Sequence, residues 1–271
     1  MNLINSIFLG IIEGLAEFLP ISSTAHLILA SKILNIPQDD FIKFFEIFIQ
    51  SGAILSIIFL YSKYILKNKR LILPILVSFL MTSLIALPFY KVIKNIFFED
   101  IFLIIFSLIF IGLLMIIIEN LIEKNKIKIF KNLENLTLKE AILIGIFQSL
   151  SVVPGVSRAG AVILGMLLLK YKRDEAVLYS FLLSVPTIIS AGLFDLYKTG
   201  FDKIFLIKEN LIYLKENLIY LITGFVFSFI SALIVVKLFI KYLQNHNLKI
   251  FGYYRIILGI ITLVLIKIFN F

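Results

Sequence analysis

Six apolar stretches constrain this chain most, because each is long enough to cross a lipid bilayer, which takes about 20 apolar residues. They cover residues 41–61, 71–90, 101–118, 176–194, 217–236 and 256–266, the last with residues 250–254 just upstream. Hydrophobic residues make up 61% of the 271 residues, against roughly 45–50% in soluble domains. The absence of cysteine excludes disulfide and thiol chemistry. The sequence therefore predicts an all-α polytopic membrane protein, with a single integral membrane domain over residues 1–271.

Two further apolar regions are interrupted by proline. Residues 3–34 are broken at Pro20, and residues 138–169 are broken at Pro154-Gly155. Each piece has about 15 residues and makes about 22 Å of helix, which is less than the roughly 30 Å of hydrocarbon in a bilayer. Each region is then either one kinked span or a re-entrant hairpin that enters and leaves by the same face. Irregular backbone at that depth is tolerated only inside protein or beside a water-filled cavity.

The distribution of Lys and Arg favours hairpins. If both regions are re-entrant, one side of the membrane holds 16 Lys/Arg, in residues 62–70, 119–140, 170–175 and 237–255. The other side holds 8, in residues 36–43, 91–100, 195–216 and the C-terminus. The positive-inside rule places the richer set in the cytoplasm. We expect the first hairpin to open outward and the second inward, and we attribute the net charge of +9 to loops rather than to nucleic-acid binding.

The two broken regions also resemble each other in sequence. Gly10-Ile-Ile-Glu13 precedes the first break as Gly145-Ile-Phe-Gln148 precedes the second. Three spans follow each region, so the chain divides into residues 1–122 and 138–271, joined by the polar segment 123–137. Because three is odd, the second half is upside down relative to the first, which predicts an inverted-topology repeat. Chance similarity of two proline-broken helices is the alternative.

Charged residues at membrane depth are the candidates for function, because each costs about 2.5–3.5 kcal/mol to insert. We place 38 of the 43 charged residues in loops or at span ends, and the other five are Glu13, Glu17, Lys32, Glu46 and Arg158. Glu13 and Glu17, four residues apart on one helix face, can hold Mg²⁺ or Ca²⁺ through carboxylate oxygens. A solvated charged face is the alternative. Lys32 is expected to snorkel to the head groups, and Glu46, in the first turn of its helix, suits the helix dipole as well as a functional role.

Hydroxyl residues and a histidine follow Pro20. Ser22, Ser23 and Thr24 open the second arm of the first hairpin, where such residues cap a helix N-terminus and where free N–H groups can bind an anion. His26 lies three residues beyond Ser23 and on the same side of the first turn. It can accept the serine proton, attack phosphorus itself or protonate a leaving group. A structural hydrogen bond is the alternative role for this histidine.

Ser157 and Arg158 occupy the equivalent tip of the second hairpin. The guanidinium of Arg158 suits bidentate binding of phosphate. It can also form an internal salt bridge to Glu13 or Glu17, and the two roles are compatible. Both tips would then point helix N-termini at one place near the midplane, an arrangement that suits an anionic head group.

Two long motifs carry a resemblance to a known family. They are Glu13-Gly-Leu-Ala-Glu17-Phe-Leu-Pro20-Ile-Ser22-Ser23-Thr24-Ala-His26 and Pro154-Gly155-Val-Ser157-Arg158. On these motifs, and over nearly the whole chain, the sequence resembles the bacterial undecaprenyl-diphosphate phosphatases, also called bacitracin-resistance proteins. Ala159 and Val162 stand where that family usually has serine and threonine. Any phosphate contact that those two hydroxyls make in relatives is therefore absent here.

The resemblance implies hydrolysis of undecaprenyl diphosphate to the monophosphate, at the outer face of the bacterial plasma membrane. That reaction recycles the lipid carrier for peptidoglycan and other cell-wall polymers and confers bacitracin resistance. The family also implies a divalent cation, Mg²⁺ or Ca²⁺, and a homodimer.

The expected roles follow from the residue chemistry and the family together. The catalytic residues are Glu17, Ser23, His26 and Arg158; the phosphate-binding residues are Ser22, Thr24, Gly155, Ser157 and Arg158; and the cation ligands are Glu13 and Glu17. We expect attack by Ser23 assisted by His26, and leave attack by His26 or by an activated water open. The alternative hypothesis is a transporter or flippase that moves a polyprenyl phosphate lipid and uses the same site. Broken helices at the midplane are typical of transporters. A purely structural scaffold would leave the intramembrane charges unexplained.

Overall fold

The computed structural model describes residues 1–89, 100–199 and 211–269. Within these ranges the regular elements are helices, and one isolated bridge joins Lys131 to Tyr171. The α-helices in chain order are α1 (Leu3–Ala16), α2 (Ser23–Ile33), α3 (Asp40–Lys67), α4 (Ile72–Ala86), α5 (Ile101–Glu123), α6 (Leu138–Ser149), α7 (Arg158–Leu168), α8 (Arg173–Thr199), α9 (Leu211–Leu243) and α10 (Lys249–Phe269).

Six helical segments in the described ranges are long and apolar enough to cross a membrane. They are Asp40–Lys67, Lys69–Phe89, Ile101–Glu123, Arg173–Lys198, Lys215–Leu243 and Lys249–Ile268. They confirm the six predicted spans, and residues 250–254 and 256–266 prove to be one continuous helix, α10. Large apolar side chains such as Phe59 and Phe106 are exposed on these helices, as a lipid-facing surface requires. The predicted end of one span at Tyr90, and most of the predicted outer segments 91–100 and 195–216, lie outside the described residues.

Side chains at the ends of the apolar runs fix where several helices begin. The carboxylate of Asp39 accepts a hydrogen bond from the backbone N–H of Ile42, at 2.8 Å, and caps α3. Asp100 caps α5 in the same way, and Thr137 with Glu140 forms a capping box at the start of α6. Because such caps supply acceptors for the first free N–H groups of a helix, the polar residues that flank each apolar run set its boundary.

Two pairs of helices are each separated by a short break in the α-helix, and the second break includes a 3-10 turn over Leu150–Val152. The first break, residues 17–22, separates α1 from α2, and the second break, residues 150–157, separates α6 from α7. The four helices have 14, 11, 12 and 11 residues, or about 16–21 Å each at 1.5 Å per residue. Each break ends in a serine with a positive φ of 72°, Ser22 or Ser157. This conformation is uncommon for a residue other than glycine, so the two breaks share an unusual local backbone.

The outer ends of the second broken pair lie close together. The hydroxyl of Tyr171, just after α7, donates to the carboxylate of Glu140 at the start of α6, at 2.9 Å. Lys131 donates to the same carboxylate at 2.6 Å. Burial acts to raise the pKa of Glu140, but the hydrogen bonds from Lys131, Thr137 and Tyr171 outweigh it and lower the pKa to about 2. In the first pair, Leu34 after α2 and Met1 before α1 both pack against one apolar cluster.

The two halves of the chain pack on each other reciprocally. Helix α1 packs on α9 and α6 packs on α4, while α3 contacts α9 as α8 contacts α4. Helices α3 and α8 contact each other, as do α5 and α10. Equivalent glycines allow the closest approaches, because a Cβ on Gly10 would lie 2.5 Å from the carbonyl oxygen of Gly224, and one on Gly145 would lie 2.5 Å from that of Ser78. In these contacts, each helix of one half therefore pairs as its counterpart does in the other.

Ion pairs link the ends of several helices on one side of the bundle. These pairs are Arg70–Glu134 at 2.9 Å, Arg173–Glu119 at 2.5 Å and Lys249–Glu123 at 2.5 Å. They connect residues 62–70, 119–140, 170–175 and 237–255, which are the four basic segments that the sequence predicts on one side of the membrane. The four segments therefore lie at the same end of the bundle.

Candidate functional site

A cavity of about 100 Å³ lies where the two breaks meet. Its lining residues are Glu17, Ser22, Ser23, Thr24, Gln50, Ser151, Val153, Pro154, Gly155, Ser157, Arg158 and Ile188. Seven of the predicted site residues are among them, and they come from both halves of the chain. Gln50 and Ser151 also line the cavity but were not predicted as site residues. At about 30 Å³ per water molecule, the cavity has room for a small polar group and not for a lipid tail.

Three side chains form a continuous chain of hydrogen bonds in this cavity. The hydroxyl of Ser23 donates to Glu17 Oε2 at 2.5 Å, and Nη2 of Arg158 donates to Glu17 Oε1 at 2.8 Å. Nη1 of Arg158 donates to the carbonyl of Ser180 at 3.0 Å. The side chains of Arg158 and Glu17 are only 10% and 7% exposed, so water screens their interaction weakly. A serine hydroxyl bonded to a carboxylate that is itself held by an arginine is equipped to act as a nucleophile with its base.

The N-termini of α2 and α7 meet at the cavity in matching ways. Ser22 Oγ accepts from the N–H of Ala25 at 3.4 Å, and Ser157 Oγ accepts from the N–H of Gly160 at 3.1 Å. Both serines are thus N-caps, and Ser23 and Arg158 are the first residues of the two helices. The ends of two helix dipoles therefore supply positive partial charge and free N–H groups where an anion would bind.

His26 lies beside these residues, but its ring nitrogens bond to other partners than Ser23. Its Nδ1 is 2.7 Å from the carbonyl oxygen of Ser22, and its Nε2 is 2.7 Å from the hydroxyl of Tyr254 on α10. The His26 and Tyr254 rings are stacked, with centroids 5.6 Å apart. Because a carbonyl can only accept, Nδ1 carries the proton and Nε2 accepts from Tyr254. The structure therefore pairs Ser23 with Glu17, whereas the sequence led us to expect a Ser23–His26 pair.

Glu13 lies one turn before Glu17 on α1 and is fully buried. Neither of its carboxylate oxygens has a hydrogen-bond partner in the described part of the chain. A buried carboxylate without donors requires a proton or a bound cation, so Glu13 fits the predicted role of a cation ligand. Among the described residues, no group of three or more His, Asp or Glu could hold a metal by itself. A cation here would need ligands from water or substrate as well.

A family model described as "Bacitracin resistance protein BacA" matches residues 6–261 of the chain. The chain belongs to this family. A protein of Sulfurihydrogenibium sp. (strain YO3AOP1) named "Undecaprenyl-diphosphatase" is 44% identical over 96% of this chain and 98% of its own length. Proteins with the same name from Aquifex aeolicus and Wolinella succinogenes are each 41% identical, over 94% and 97% of this chain and 95% and 98% of their own lengths.

The two positions that depart from the family motif do not line the cavity. Ala159 and Val162 are fully buried in the main apolar cluster and do not line the cavity. Glu46 also differs from expectation, because Asp39 caps α3 and places Glu46 in the second turn rather than the first. Its carboxylate accepts from Ser31 at 2.8 Å, so it has a polar partner within the protein.

Arg255 is a buried charged residue beside the two breaks that sequence reasoning missed. It was counted with the loop charges of residues 237–255, but α10 begins at Lys249, and the side chain of Arg255 is fully buried. That assignment was wrong because a basic residue near a predicted span end was taken as an interfacial charge. The signal was present in the sequence, since Arg255 interrupts an otherwise uncharged run over residues 250–266.

Proposed function

We propose that this protein hydrolyses undecaprenyl diphosphate to undecaprenyl phosphate and inorganic phosphate. The observation that carries the proposal is the chain of hydrogen bonds from Ser23 through Glu17 to Arg158, which spans both breaks beside a small polar cavity. Its BacA-family relatives from Sulfurihydrogenibium, Aquifex and Wolinella are named as undecaprenyl-diphosphatases over nearly their whole length, which supports the same reaction here.

In the proposed mechanism, Ser23 Oγ attacks the terminal phosphorus while its proton passes to Glu17. The bond from that phosphorus to the bridging oxygen breaks, and undecaprenyl phosphate leaves. Water then attacks the phosphoserine, and Glu17 returns its proton to Ser23 Oγ as the bond from that oxygen to phosphorus breaks. Inorganic phosphate leaves with both protons of the attacking water. Arg158 and the N-termini of α2 and α7 stabilise the negative charge of the phosphoryl oxygens. We favour Ser23 over His26 as the nucleophile, because both ring nitrogens of His26 have other partners.

We assign a divalent cation, Mg²⁺ or Ca²⁺, to Glu13 and the neighbouring Glu17. The unpartnered oxygens of Glu13 support this assignment. A cation there would neutralise charge on the phosphate oxygens. Hard cations commonly complete their coordination with water and phosphate, which fits a site that offers only two carboxylates.

The size of the cavity indicates that the protein binds the phosphate end of the substrate while the lipid chain stays in the bilayer. It accommodates a phosphoryl group, so the polyprenyl chain must remain among the exposed apolar helix faces. We propose that Ser22, Thr24, Gly155 and Ser157 contact the phosphates, and that the site opens to the outer face of the bacterial plasma membrane. The lipid product would return as the carrier for peptidoglycan and other cell-wall polymers, and its supply would confer bacitracin resistance.

We also propose that the broken pairs are re-entrant hairpins and that residues 1–122 and 138–271 form an inverted repeat. Three observations support this: the close outer ends of the second pair, the reciprocal packing of the halves, and the four basic segments gathered at one end of the bundle. A homodimer remains the assembly that we propose from the family.

Phosphate release from a polyprenyl diphosphate by the purified protein in detergent tests the proposal. We expect release that requires Mg²⁺ or Ca²⁺ and is abolished by Ser23→Ala. Reconstituted vesicles distinguish the rival transporter, which would move a polyprenyl phosphate lipid across the bilayer without releasing phosphate. Lipid movement with no phosphate release would refute the phosphatase assignment.

A further inference from the structure

Arg255 is a fully buried cation that connects the two breaks. Its Nη1 donates to the carbonyl of Pro20 in the first break at 2.9 Å. Its Nη2 donates to two carbonyls of the second break, those of Gly155 and, at 3.1 Å, Val156. Nε makes a longer contact of 3.4 Å with the carbonyl of Leu108 on α5. One side chain from the last helix therefore contacts irregular backbone from both halves.

The acceptors explain why an arginine occupies this position. Carbonyl groups at a break have lost their helical partners, and leaving them unpaired in an apolar interior costs free energy. The guanidinium presents five N–H donors in a rigid planar fork, so one group can serve acceptors in two separate segments. In the described part of the chain, no carboxylate forms an ion pair with Arg255, so backbone carbonyls supply its hydrogen bonds.

The carbonyls that Arg255 binds are close in the chain to the reacting groups. Pro20 is three residues before Ser23, and Val156 is two residues before Arg158. Ser23 and Arg158 belong to different halves and meet through Glu17, so their separation depends on how the two breaks are held. Arg255 does not line the cavity, and it therefore acts through these neighbours rather than on the substrate.

We propose that Arg255 is a positioning residue that bridges the two breaks and thereby sets the geometry of Ser23, Glu17 and Arg158. Its effect on turnover rests on the proposed phosphatase function, whereas its bridging role does not. A bridge of this kind requires both the charge and the fork of the guanidinium. Lysine keeps a cation but places its three donors at one point, so it can serve one break but not both.

A distance measurement tests the bridge independently of activity. Because the chain has no cysteine, Ile33→Cys on α2 and Leu168→Cys on α7 allow two spin labels at exposed sites beyond the two breaks. Pulsed electron paramagnetic resonance then compares Arg255→Gln and Arg255→Lys with the parent. The control is Lys249→Gln, which removes a cation from the same helix at its exposed ion pair with Glu123. We expect both Arg255 variants to broaden or shift the distance distribution and the control to match the parent.

Turnover provides the second readout. A displacement of about 1 Å between reacting groups lowers a rate by about 100-fold, so kcat should fall by that order in Arg255→Gln while KM changes much less. In Arg255→Lys, kcat should fall nearly as far. The lysine variant also provides the comparison with the parent if the glutamine variant does not fold. An unchanged distance distribution in the variants would overturn the bridge, and so would full activity in Arg255→Lys. Absence of phosphate release by the parent would instead refute the proposed function, and the distances would still decide whether Arg255 bridges the breaks.

Discussion

Glu17→Gln is the most informative single substitution, because Glu17 accepts hydrogen bonds from both Ser23 and Arg158. Glutamine has nearly the same shape but keeps one acceptor oxygen and replaces the other with a donor. It can therefore accept from Ser23 or from Arg158 but not from both, and it cannot take a proton from serine. Loss of a general base lowers rates by about 10²–10⁴-fold. We expect kcat for phosphate release to fall within that range.

The same substitution should also change stability by an amount that follows from burial. The Glu17 and Arg158 side chains are 7% and 10% exposed, and removing one partner of a buried ion pair costs about 3–5 kcal/mol. The amide oxygen recovers part of this free energy if it retains Arg158. In a double-mutant cycle with Arg158→Gln, the double variant should lose less free energy of unfolding than the sum of the two single losses, by about 0.5–3 kcal/mol. Thermal unfolding of each purified variant in one detergent measures these differences.

Glu119→Gln is the matched control, because Glu119 is also a buried carboxylate paired with an arginine, Arg173, but lies at the basic end of the bundle. It should lower stability while leaving kcat within about twofold, since it leaves the Ser23 base intact. The reasoning would be refuted if Glu17→Gln kept parental turnover, or if both amide variants lowered kcat equally.

Three further outcomes follow from the site and its surroundings. Ser23→Ala should abolish the covalent phosphoenzyme that mass spectrometry of acid-quenched parent protein detects; a phosphoenzyme that persists in the variant would exclude Ser23 as the nucleophile. Glu13→Gln should raise the cation concentration for half-maximal activity by roughly tenfold, the equivalent of about 1.4 kcal/mol for a lost ligand, as a titration with Mg²⁺ or Ca²⁺ would measure. The pKa of Glu140 is about 2, below its ordinary value of 4.5, so its contribution to stability is complete above pH 4.5 and is lost as the pH falls toward 2. Unfolding in a pH series should show this loss in the parent and not in Glu140→Gln.

The spans could be predicted from the sequence, because an apolar run of about 20 residues is stable as a helix that crosses the membrane and has few other stable structures. The candidate site was also largely predictable, since Glu17, Ser23 and Arg158 are polar groups at two proline-broken apolar regions, and polar groups there need partners. The structure places all three beside one cavity.

The partners of individual side chains could not be predicted in the same way. Sequence spacing put His26 on the same helix face as Ser23, but the ring instead bonds to Ser22 and stacks on Tyr254, a residue 228 positions away. Arg255 was misplaced for a related reason: the sequence shows that it interrupts an uncharged run, but its partners, the carbonyls of the two breaks, follow only from how α10 packs. Contacts between distant segments depend on helix packing, which the local pattern does not specify.

The matching positions of Ser23 and Arg158 have a consequence for how such a site could arise. Each follows a serine N-cap with a φ of 72° and is the first residue of an 11-residue helix. The two positions therefore have similar local backbone structure. A pair of identical short chains would have to place the same side chain at both positions, giving two nucleophiles or two cations. In the inverted repeat that we propose, covalent fusion of the two halves removes that restriction, because each half can then mutate alone. The roles that we propose for Ser23 and Arg158, an attacking hydroxyl in one half and a phosphate-binding cation in the other, then become possible at equivalent positions.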